Sequence, residues 1–160
     1  MQISAKTWNE YITRLSRLNQ KAGQLMRDYI DRHGTADTAD LIAYAYGLVT
    51  KYGEGSAELA CQMYDALAEA QGALVPAAEP AETASYNEVA RMVNATKNQN
   101  PANLPNGVSR LVKRAGADTS LRNAARDGAE WAWVPHGDTC PFCITLASNG
   151  WQNASDKVLK

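Results

Sequence analysis

The chain has 160 residues, 45% of them hydrophobic but only 8% aromatic, with a single Phe and a formal net charge of −1. That length and apolar content support a folded core of one domain, or one domain with an appendage, built on Leu, Ala, Val and Tyr. The balanced charge argues against a general nucleic-acid coat, and three Cys, an odd number with two of them close together, do not form a secreted disulfide framework. The amino-terminal stretch is polar and amphipathic, without the apolar run of a secretory leader. No stretch approaches a membrane span, so a protein acting in a cytoplasm, or in something assembled there, is expected. The Asn94-Ala95-Thr96 tripeptide matches a glycosylation acceptor, which has no meaning without secretion.

In chain order, the first predicted element is a helix over 6–32. Trp8, Tyr11, Ile12, Leu15, Leu18, Ala22, Leu25, Met26, Tyr29 and Ile30 recur at spacings of three and four, while Lys6, Glu10, Arg14, Arg17, Gln20, Lys21 and Arg27 fill the other face. Such a helix serves as a core element or as a docking helix for a partner. Gly34 ends it. A second helix starts near Asp37, which can cap the first-turn amides, and carries Leu41, Ile42, Ala45, Leu48 and Val49 inward, with Tyr44, Tyr46 and Tyr52 broadening the stripe. Gly53 and Gly55 are expected to end it, and Ser56 to cap a third helix with Leu59, Ala60, Met63, Leu67 and Ala70 on one side. Cys61 falls opposite that stripe and reads as an isolated small residue, since nothing beside it lowers a thiol pKa.

Residues 72–84, with two Pro and several Ala, read as a linker or extended connection. A fourth helix follows, with Tyr86, Val89, Ala90 and Val93 inward, then an Asn/Pro-rich loop in which Pro101 and Pro105 break any continuous helix. Helical spacing resumes over 107–115 with Val108, Leu111, Val112 and Ala115. Gly116 interrupts it, and Asp118 or Thr119 caps a further short helix with Leu121, Ala124 and Ala125. Arg110, Lys113, Arg114, Arg122 and Arg126 make this region locally basic, either a solvated helix face or a contact to nucleic acid or an acidic partner. No aromatic residues alternate with these charges, so base stacking is not indicated.

The chemistry-bearing residues concentrate between Trp131 and Trp151, where three of the four Trp, the only Phe and two of the three Cys lie. The order reads as a strand over 130–134, a turn over 135–138, the CxxC of Cys140 and Cys143, and a short helix over 144–147. Two thiolates at this spacing can face one zinc ion. His136 could supply a third ligand, while no fourth is evident nearby. A thiol–disulfide exchanger also carries CxxC at a helix start, but it needs a β-rich half after the motif, and 17 residues follow Cys143. The two Cys packed as reduced thiols beneath Trp131 and Trp133 is the third reading. No phosphate-binding loop, HExxH or Ser-nucleophile motif is present, and a non-enzymatic protein without a small-molecule substrate is expected.

The fold class that follows is mainly α with a small β element: a helical N-terminal region plus a short α+β module around the CxxC. Its expected divisions are an N-terminal helical region over 1–72, a linker, helix and Asn/Pro loop over 73–106, and a C-terminal helix with the Trp/CxxC module over 107–160.

The stretch Trp133-Val134-Pro135-x-Gly137-Asp138-Thr139-Cys140-Pro141-Phe142-Cys143-x-x-Leu146-Ala147-Ser148-x-Gly150-Trp151 resembles the signature of the MuF-like minor head proteins of tailed bacteriophages. The similarity covers residue order over roughly the length of that stretch, and the Arg- and Ala-rich segment before it is similar in character. The resemblance implies a structural virion protein inside the capsid at the portal vertex, present in the host cytoplasm during assembly. It implies the phage portal protein as partner, together with other capsid components and packaged DNA. In that family, further His and Cys follow the CxxC, and the resemblance implies that they complete a metal site, zinc, with Cys140 and Cys143, whereas His136 is offered by spacing alone; this sequence departs from the pattern in ending at Lys160. The alternative from another class is a zinc-dependent nucleic-acid-binding or nuclease-like module.

Overall fold

The computed structural model describes residues 3–131 and 152–153. Among these, four α-helices dominate: α1 (Ala5–His33), α2 (Thr38–Ala70), α3 (Tyr86–Gln99) and α4 (Leu104–Asp127), the last preceded by a single 3-10 turn at Pro101–Asn103. Local chemistry sets most of their ends. Ser4 caps α1 by accepting from the Thr7 amide, and Gly34, at φ 71, closes it. Asp37 caps α2 by accepting from the Asp40 amide. Ser85 and Glu88 form a reciprocal capping box on α3, and Pro105 stands in the first turn of α4, where its missing amide costs nothing.

The core is one cluster to which every helix contributes. Ala22 and Met26 come from α1, Leu41, Ala45 and Val49 from α2, Val89 and Val93 from α3, and Leu104, Val108 and Val112 from α4. Most of these are fully shielded, and each large aliphatic side chain so buried contributes about 1.5–3 kcal/mol. Packing is most extensive between α2 and α4, with α1 laid against both.

Several sequence expectations need correction. The helices expected on either side of Gly53 and Gly55 are one helix, and Ser56 is a buried interior residue, not a cap. Likewise Gly116 does not interrupt α4, and neither Asp118 nor Thr119 starts a new helix. An isolated helical glycine costs only about 1 kcal/mol, which close packing can outweigh. These glycines are points of close approach. A Cβ on Gly53 would stand 2.8 Å from Thr83 Cγ2, and one on Gly116 would stand 2.6 Å from Ser56 Oγ. Gly23 plays the same part where α1 meets α4, its missing Cβ leaving room for Ser109 Oγ, which donates to the Asn19 carbonyl at 2.9 Å. Tyr86, expected inward, is 48% exposed and meets Tyr46 edge-on.

The fold class is also corrected: the described residues form an all-α bundle, and no α+β module is seen among them. Of the expected strand over 130–134, Glu130–Trp131 bridges antiparallel to Gln152–Asn153, and 132–134 lie outside the described residues. A two-residue ladder is too short to form a β layer, and the helices close the core without it. No described helix is long and apolar enough to cross a membrane.

Candidate functional site

The residues singled out as metal ligands, His136, Cys140 and Cys143, lie outside the described residues, as do the expected turn and the short helix around them. Among the described residues, no three His, Cys, Asp or Glu side chains are grouped closely enough to hold a metal ion. Cys61 is buried, and burial followed by the charges of Glu58 and Asp65 pushes its thiol pKa up, the opposite of an activated nucleophile.

The basic region of α4 divides into two uses. Arg114 pairs with Glu88 at 3.0 Å and approaches Asp118 at 3.8 Å, so it ties α4 to the start of α3. Arg126 pairs with Asp127 at 2.8 Å and donates to the carbonyls of Pro76 and Ala77. Arg110, Lys113 and Arg122 remain exposed, with Arg122 turned away from the other two by the helical period. They do not form a continuous basic track.

The Arg126 contacts belong to a structure that the Pro/Ala composition did not reveal. Residues 72–84 run extended over α2 and α4 as a strap. The Ala78 amide donates to Asp65 Oδ1 at 2.8 Å, and the Ala81 amide donates to Thr119 Oγ1 at 2.9 Å. Asn123 clasps Glu79 in both directions, accepting from its amide at 2.9 Å and donating to its carbonyl at 2.8 Å. Thr119 and Asn123 are buried polar residues whose hydrogen-bonding groups serve the strap backbone. Beside them, Tyr64 donates to Asp127 Oδ2 at 2.8 Å, and burial, followed by that hydrogen bond, pushes its pKa up to about 12. The available signal was two polar residues, Thr119 and Asn123, four apart on an otherwise apolar face.

The feature best suited to a partner lies between α1 and α2. A shallow groove of 430 Å³ has Leu18, Leu59 and Tyr52 along it, with Arg14, Arg17 and Lys21 on its α1 rim. Leu18 sits directly over Gly55, where an added Cβ would stand 3.4 Å from its Cδ1, so the helices approach closely here. The three cations occupy one solvent-facing stripe, and none makes an ion pair or hydrogen bond with a described residue. Their neighbours on the stripe are engaged: Lys6 with Glu10 at 3.9 Å, and Gln24 with Asp28 at 2.7 Å. On the α2 side, Lys51 Nζ stands 5.6 Å from the Tyr52 ring centroid. Glu58 is the one acid in the lining and accepts from Gln62 at 3.2 Å. Below Arg14, the Tyr11 phenol has its pKa raised, first by burial and then by Cys61. The sequence places Arg14, Arg17 and Lys21 on the outer face of a helix suited to docking, and the packing of α2 adds the apolar floor beside them.

A second groove of 470 Å³, with no charged residue in its lining, lies where the start of α1 meets the end of α2, between Ile3, Trp8, Leu67 and Ala70.

Among the described residues, the architecture is thus an all-α bundle whose long helices are braced by a strap and which presents a cationic groove. The chain belongs to the VG15 protein family, whose model matches residues 2–160. That membership makes it a phage-associated protein. No curated protein and no solved structure matches it.

Proposed function

We propose that this chain is a structural minor head protein of a phage virion, docking at the inner side of the portal vertex and aiding head assembly and DNA packaging or delivery. The observation that carries the reading is membership of a phage-associated family over nearly the whole chain, joined to the Trp133–Trp151 residue pattern that resembles the MuF-like minor head proteins. The helical scaffold suits it: α1 and α2, about 43 and 50 Å long at their residue counts, offer extended rigid faces to a large assembly. The protein works by binding, without turnover of its own. If zinc is part of it, Cys140, Cys143 and His136 hold the ion and brace the C-terminal stretch.

The test is native mass spectrometry of the full chain mixed with the portal protein of the same phage. A defined complex of chain and portal oligomer is expected, and the same spectra report zinc content. A chain that stays unbound across low and moderate salt refutes the reading. One tightly held zinc per chain without a portal complex would favour the nucleic-acid-binding module instead.

A further inference from the structure

We infer that the groove between α1 and α2 is the docking surface for an acidic, amphipathic helical segment of a partner protein, with Arg14, Arg17 and Lys21 as the specificity-determining cations. On the reading above, that partner is the portal protein, and the inference rests on that reading.

Three observations carry it. First, the groove concentrates positive charge in a chain whose net charge is −1, with three unengaged cations against the single carboxylate of Glu58. Exposed like charges held on adjacent turns of one helix repel each other by a few tenths of a kcal/mol per pair, so the row weakens the free helix and gains only when an anionic surface meets it. Before it on the stripe Lys6 pairs with Glu10, and after it Gln24 donates a hydrogen bond to Asp28.

Second, the cations have helical spacing. Arg14, Arg17 and Lys21 stand at i, i+3 and i+7, and Arg14 and Lys21 are about 10 Å apart along the axis at a rise of roughly 1.5 Å per residue. Carboxylates at i, i+3 or i+4, and i+7 of a second helix laid along the groove match that spacing.

Third, the floor is apolar. Leu18 of α1 and Leu59 of α2 line the groove beside the cations, and the close approach of Leu18 to Gly55 keeps the floor shallow enough for side chains of a second helix to reach it. A nucleic-acid backbone would use the cations and leave the leucines uncovered, whereas an amphipathic helix uses both. This favours the acidic helix over a phosphate backbone.

The experiment is binding of the full chain to portal oligomer, measured across a salt series, with a short duplex DNA as a separate probe. Wild-type chain is expected to bind the portal with an affinity that falls as salt rises. The triple variant Arg14→Glu, Arg17→Glu, Lys21→Glu is expected to bind about 100-fold more weakly. All three side chains are exposed, so the variant keeps its fold, which circular dichroism checks. A milder variant, Arg14→Gln with Lys21→Gln, should fall between the two. Triple-variant binding equal to wild type overturns the groove inference and leaves the minor head reading standing. Failure of the wild-type chain to bind overturns both. Retention of DNA by the wild type that the triple variant loses, with portal binding unchanged, assigns the groove to phosphates and also overturns the inference.

Discussion

Replacing Gly116 by alanine perturbs the α2–α4 contact at a point of close approach. The added Cβ would lie 2.6 Å from Ser56 Oγ and 3.2 Å from the Ser56 carbonyl oxygen. The hydroxyl is the end of a short side chain and can turn away. The carbonyl belongs to α2 and recedes only if the helices part by a few tenths of an ångström, which disturbs the most extensive helix contact in the molecule. Alanine is worth about 1 kcal/mol more than glycine inside a helix. Overpacking a closed contact costs about 1–3 kcal/mol. Overpacking is expected to win, leaving Gly116→Ala less stable by about 1 kcal/mol, as read from urea unfolding followed by circular dichroism. The control is Gly47→Ala in α2, where an added Cβ meets nothing within 4 Å. There the propensity gain stands alone, and a stabilisation of about 0.5–1 kcal/mol is expected. Ser56 Oγ is buried and has no hydrogen-bond partner among the described residues, so Ser56→Ala removes an obstacle without breaking a bond. The double variant Ser56→Ala, Gly116→Ala should therefore recover part of the loss, a non-additivity expected of residues in contact. If Gly116→Ala stabilises the protein as much as Gly47→Ala, the close-packing account of α4 is wrong.

Asn123→Ala should destabilise by about 2–3 kcal/mol, because it removes both hydrogen bonds to Glu79 and leaves those strap groups without their buried partner. Limited proteolysis should then cut within 72–84 faster than in wild type, and equal cutting rates would mean the strap is held by other means. The carboxyl pKa of Glu88 is lowered, chiefly by the Ser85 amide and then by Arg114, and that of Asp127 is lowered chiefly by Arg126 and then by Tyr64. A carboxyl whose folded pKa is depressed stabilises the fold above its ordinary range and loses that contribution as pH falls through the folded value. Glu88→Gln and Asp127→Asn should each flatten the acid limb of a stability-against-pH curve, and a limb unchanged in both variants would contradict this. Tyr64 has the opposite sign: its folded pKa is raised to about 12, so its contribution is intact at neutral pH and is lost as pH rises from the ordinary phenol range through that value. Ultraviolet titration should show late-ionising tyrosines, Tyr11 and Tyr64 among them, and Tyr64→Phe should reduce their number by one.

Where the information is local, the sequence by itself determined the structure. The period of α1 from Trp8 to Ile30, its stop at Gly34, the Asp37 cap, and the inward positions Leu41, Ile42, Ala45, Leu48 and Val49 of α2 and Val89 and Val93 of α3 follow from apolar spacing and capping chemistry within a few residues. The phage association was likewise legible, in the residue order from Trp133 to Trp151. What only the tertiary structure decided is what a glycine or a polar residue faces. Gly53 and Gly116 carry the local mark of a helix end, yet each lies inside a helix, where Thr83 and Ser56 of the same chain occupy the space of the missing Cβ. Thr119 and Asn123 carry the mark of caps or surface positions, yet both are buried to satisfy the backbone of the strap. The groove arises in the same way. Arg14, Arg17 and Lys21 are visible as a row in the sequence, but Leu59 and Tyr52 reach them only when α2 packs against α1. Spacing along one helix is set by covalent geometry, whereas the residues that meet across two helices are set by how their surfaces interlock.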